Sequence, residues 1–89
     1  MIELQTVKED LMRHEGFRPH AYLCPTGFLT IGYGRMVDEK RKGGIIKEEA
    51  EYLLENDINR LWNQFYKHTS WFKHAPSQVQ RAMINMGFQ

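Results

Sequence analysis

A chain of 89 residues with 42% hydrophobic and 12% aromatic side chains can bury a small core, and that composition excludes intrinsic disorder. The formal net charge of +1 gives no field to gather nucleic acid, and a single cysteine, Cys24, excludes an internal disulfide. No run reaches the roughly 18 apolar residues of a membrane span, and residues 1–10 lack the apolar stretch of a secretory signal.

Taken in order, residues 3–14 place Leu4, Val7, Leu11 and Met12 at helical spacing. Gly16 stops this helix, as glycine commonly does just past a helix end. Glu15 therefore sits at the C-terminus, where the macrodipole is negative and a carboxylate is poorly placed. Residues 17–35 then alternate apolar and aromatic side chains with Pro19, Pro25, Gly27, Gly32 and Gly34. Pro25-Thr26-Gly27 reads as the turn of an antiparallel hairpin, with a third short strand near 35–38. Gly32 and Gly34 mark a bulge or a close backbone approach. They do not make a dinucleotide loop, because no third glycine and no βαβ setting follow.

Residues 36–44 read as a charged surface loop, and Lys40, Arg41 and Lys42 beside Asp38 and Glu39 as a solvated cluster rather than a nucleic-acid patch. Residues 46–68 are the clearest helix. Ile46, Ala50, Leu53, Leu54, Ile58, Leu61, Trp62 and Phe65 form its stripe. Trp71-Phe72 reads as one short turn. Ser77 with Gln80 matches a capping box opening a last helix, whose stripe is Val79, Ala82, Met83, Met86 and Phe88. An apolar helix at the very end leaves a face in need of a partner.

Three chemistries are candidates for these residues. A carboxylic acid such as Glu15, with a second group holding water, suits glycoside hydrolysis. Cys24 activated by one of His14, His20, His68 or His74 suits thiol catalysis, although no local cysteine-hydrolase signature surrounds it. No histidine spacing matches a zinc site. The plain alternatives are a surface carboxylate at Glu15 and a small buried hydrophobe at Cys24.

Four stretches in order resemble the phage lysozymes (endolysins) of the T-even type. Glu15, Cys24 and Thr30 match a Glu, eight residues, Asp or Cys, five residues, Thr pattern. Thr30-Ile31-Gly32-Tyr33-Gly34 is similar to the strand that follows it in that family. Lys47-Glu48-Glu49-Ala50-Glu51 is similar to the start of its interlobe helix, and residues 81–89 to a helix in mid-chain.

The resemblance implies an α+β muramidase fold over one partial domain: first helix 1–15, hairpin lobe 16–45, interlobe helix 46–68, and the start of a helical lobe at 70–89. It implies that Glu15 is the general acid, with Cys24 and Thr30 on the water side, Met36 and Phe88 lining the glycan cleft, and no cofactor or metal. The bond cleaved would be the β-1,4 link between N-acetylmuramic acid and N-acetylglucosamine in peptidoglycan. Arg35 stands where the family usually has His, and an Arg35–Asp57 ion pair is expected. Cys24 weakens a two-carboxylate mechanism, since a thiol of pKa about 8.5 is mostly neutral at pH 7. Family members continue for several helices past the position of Gln89, so the resemblance implies a truncated C-terminal lobe. The competing expectation is an inactive remnant that forms a homodimer, or joins a complementing chain, through residues 77–89. Synthesis in the host cytoplasm without a signal peptide, with holin-dependent release to the cell wall, is the implied route. No stable membrane insertion is expected.

Overall fold

The computed structural model describes residues 3–88; Met1, Ile2 and Gln89, at the ends of the first and last expected segments, lie outside the described residues. The chain divides into two compact units, Met1–Ile45 and Ile46–Gln89.

The first unit opens with helix α1, Leu4–Glu15. It stops because Gly16 takes a φ of +70°, a left-handed value that costs glycine nothing, and the Gly16 amide closes on the Met12 carbonyl. Three antiparallel strands follow in sheet order β1 (Arg18–Leu23), β2 (Leu29–Gly32) and β3 (Arg35–Met36). The β1–β2 turn is closed by the Gly27 amide on the Cys24 carbonyl, at 2.8 Å, and by the Cys24 amide on the Phe28 carbonyl, at 3.0 Å. Pairing is Tyr22 with Thr30 and Arg18 with Gly32, so the register slips between Arg18 and Tyr22. Pro19 falls in that irregular stretch, where its missing N–H breaks no regular ladder. Across the other edge Thr30 faces Met36 and Ile31 faces Arg35.

The loop after β3 departs from the solvated segment expected from its composition. Asp38 is buried, with 9% of its surface exposed. One carboxylate oxygen accepts from the Leu29 amide at 3.0 Å and the other from the Lys40 amide at 2.9 Å. Its own carbonyl accepts from Arg41 and Gly43. The 3₁₀ turn Glu39–Arg41 is built on these bonds. Gly43 has no room for a side chain, since a Cβ there would stand 2.6 Å from the Met36 carbonyl oxygen. Arg41 stays on the surface but lies over the Phe28 ring, 4.7 Å from its centroid.

The second unit contains helix α2 (Lys47–His68), a 3₁₀ turn (Phe72–His74) and helix α3 (Ser77–Phe88). α2 starts without Ser or Thr because the Glu49 carboxylate reaches back to the Ile46 amide at 2.9 Å. Phe72, expected only as part of a short turn, is the fully buried core residue. Trp62 meets it edge-on at 4.9 Å and Phe65 lies 5.2 Å away. The expected Ser77–Gln80 capping box is corrected. The Gln80 side-chain amide instead donates to the Phe72 carbonyl at 2.8 Å, and the Val79 and Gln80 amides close on Pro76. A bond that ties α3 to the core outcompetes a local cap in a half-buried setting. Gly87 completes the contact, since a Cβ there would press on Leu61 and Phe65 at 3.3 Å.

The two amides donated to Asp38 hold its pKa below the ordinary value of 3.8. A depressed folded-state pKa gives stability that is present above 3.8 and lost as pH falls through the lower folded value. Asp38→Asn should therefore lower the thermal midpoint by several degrees at pH 7, and the difference from the unaltered protein should shrink below pH 3.8. A melting series by circular dichroism from pH 2 to 7 checks it.

Candidate active site

Of the residues singled out from the sequence, Glu15, Cys24, Thr30, Arg35 and Met36 fall in the first unit, and Asp57 and Phe88 in the second. Thr30 is the centre of the first group. It is 4% exposed, lies on the middle strand, and has Tyr22 and Met36 as cross-strand partners. Its hydroxyl donates to the Phe28 carbonyl at 3.0 Å, which leaves oxygen lone pairs free to accept from a water.

Cys24 is half-buried at the start of the hairpin turn, with its Sγ 3.0 Å from the Thr26 hydroxyl. The thiol pKa is lowered from 9.0 to about 7. The Thr26 hydroxyl is the main cause, followed by the Phe28 backbone. Partial burial opposes them, and the Thr26 backbone and Thr30 hydroxyl add smaller contributions. Each hydrogen-bond donor favours the thiolate over the thiol.

Glu15 ends α1 and is exposed. Its side chain lies against the ribbon at Gly34, where a Cβ would stand 2.9 Å from Oε2 and 3.0 Å from Cδ. The close approach read from the glycine spacing is thus made by a carboxylate. Phe17, two residues after Glu15, and Tyr33, next to Gly34, meet as a tilted ring pair with centroids 5.6 Å apart.

Arg35 donates to the Gly44 carbonyl at 3.2 Å. Asp57 accepts from Arg60, one turn along α2. Phe88 and Asp57 line a groove of about 350 Å³ with Arg60, Leu61, Gln64 and Gly87. Arg60 and Gln64 supply polar groups to this groove. Among the described residues, no three His, Cys, Asp or Glu side chains group to hold a metal ion, and no helix is long and apolar enough to cross a membrane.

Among the described residues, three helices and a small three-stranded antiparallel sheet make an α+β fold of the lysozyme kind. The model of the phage lysozyme family matches residues 12–88, and the chain belongs to that family. Membership puts it in a class of peptidoglycan-hydrolysing endolysins, which are glycoside hydrolases of the bacterial cell wall. Among curated proteins, none matches the chain.

The lowered thiol pKa has a direct test. Alkylation of Cys24 by iodoacetamide should accelerate with an inflection at pH about 7, and Thr26→Val should move that inflection upward toward 9.0. Pseudo-first-order rates by mass spectrometry from pH 5 to 10 check both. An unchanged inflection in the variant would remove Thr26 as the cause.

Proposed function

We propose that the chain hydrolyses the β-1,4 bond between N-acetylmuramic acid and N-acetylglucosamine in peptidoglycan, with Glu15 as general acid. The observation that carries this is the family match across residues 12–88, a span that includes the Glu15, Cys24 and Thr30 pattern. In this reading Glu15 protonates the leaving glycosidic oxygen. A water on the opposite face of the sugar donates to Thr30. Cys24, with a pKa of about 7, is close to half thiolate at neutral pH and takes the water's second hydrogen bond as a base. Met36 and Phe88 contact the glycan. No cofactor takes part. The enzyme reaches the wall through a holin.

Glu15→Gln keeps the shape of the side chain and removes its acidity. It should slow lysis of purified peptidoglycan by about 10²-fold or more, with the thermal midpoint held within a degree or two. Turbidity clearing and release of reducing sugar measure the loss. Lysis that survives Glu15→Gln but stops on thiol alkylation would move the chemistry to Cys24.

The expected Arg35–Asp57 ion pair belongs to the same reading. A double-mutant cycle on Arg35→Ala and Asp57→Ala should return a coupling of about 0.2–1 kcal/mol. The Arg60–Asp57 bond cancels from that coupling, because Asp57→Ala removes it equally with Arg35 present and with Arg35 replaced. Zero coupling would leave the two charges independent.

One observation favours a second reading, that of an inactive chain acting through association. On α3, Met86 is 72% exposed and Phe88 50% exposed. Absence of lysis together with a concentration-dependent dimer in sedimentation would support it over the enzyme.

A further inference from the structure

The ribbon carries two glycines in the left-handed region, Gly32 at φ +69° and Gly34 at φ +81°. Any L residue is strained at either position. Their surroundings differ. A Cβ on Gly32 would meet nothing within 4 Å among the described residues. A Cβ on Gly34 would meet three successive atoms of Glu15: Oε2 at 2.9 Å, Cδ at 3.0 Å and Cγ at 3.3 Å. Backbone conformation explains both glycines. It does not explain why the outer half of one particular side chain occupies the place of the absent methyl at Gly34.

We propose that Gly34 is a positioning residue for Glu15: the space left by its missing Cβ is the seat of the Glu15 carboxyl group. A glutamate at the end of a helix has three rotatable side-chain bonds and several wells open to it. The flat, side-chain-free backbone of Gly34 lets one of them lie against the ribbon. An Ala there would fill that well. Because the obstructed atoms are the far end of a flexible chain, Glu15 can swing aside at little cost to folding. Stability and acid placement should therefore separate. A shift of about 1 Å in a reacting group is enough to cost about 10²-fold in rate. The consequence for catalysis rests on the reading of Glu15 as the acid; the seating of the side chain does not.

The test compares Gly34→Ala with Gly32→Ala. Both variants introduce left-handed strain, so both should lose a similar few degrees of thermal midpoint. In protein labelled with ¹³C at the glutamate carboxyl carbons, the Glu15 Cδ signal, assigned by its loss in Glu15→Gln, should move in Gly34→Ala and stay in Gly32→Ala. On peptidoglycan, kcat should fall about 10²-fold in Gly34→Ala with KM within twofold, and Gly32→Ala should keep most of its activity. An unmoved Cδ signal in Gly34→Ala, or an equal loss of kcat in Gly32→Ala, overturns the proposal. If Gly34→Ala does not fold, the same substitution in a Glu15→Ala background decides, since that background removes Cγ, Cδ and Oε2. Folding restored to the level of Gly32→Ala supports the seat, and continued failure to fold overturns it. If the unaltered protein lyses nothing, the muramidase reading fails, and the Cδ comparison still rules for or against Gly34.

Discussion

The first unit depends on a buried carboxylate. The Asp38 carboxylate accepts from the Leu29 amide that starts β2 and from the Lys40 amide within the 3₁₀ turn, while its carbonyl takes two more amides. A loop of charged residues would otherwise leave those N–H groups to water, and the return chain after β3 would have no reason to lie against the hairpin. With Leu29 held, the middle strand is held, and with it Thr30 at its centre. The ionised form is the one that accepts these bonds, which is why the carboxyl is acidified despite its burial.

The ribbon's chemistry is organised by small residues and hydroxyls rather than by opposed charges. Thr26 draws the Cys24 thiol toward its ionised form at the turn. Gly34 admits the Glu15 carboxyl at the other end of the hairpin. Both features are local, so each can be altered without rebuilding the unit.

The second unit is held differently. Among the described residues its one fully buried large side chain, Phe72, comes from a short 3₁₀ turn and not from either helix. Trp62 and Phe65 of α2 close on that ring, and Gln80 of α3 binds the carbonyl of the same residue. One residue thereby serves as apolar core through its side chain and as polar anchor through its backbone. Much of the remaining apolar stripe on α2 and α3 is still exposed, including Leu53, Leu54 and Met86.

Periodicity made the helices legible, because a stripe at three and four residues is a property of the chain itself. The segments read over 3–14 and 46–68 are α1 at Leu4–Glu15 and α2 at Lys47–His68. Turn residues made the hairpin legible for the same reason, and the motif of Glu15, Cys24 and Thr30 carried the family. Other features depended on atoms far apart in the chain. Asp38 looked like one more charge in a solvated run, since its partner Leu29 lies nine residues away. Gln80 had a local cap available and bonded to Phe72 instead. Gly34 was readable as a place of close approach, but nothing in the chain order says that the visitor is Glu15. Local pattern determined the elements and the candidate acid. Only the tertiary structure decided which buried groups satisfy one another, because that depends on which surfaces lose their water together.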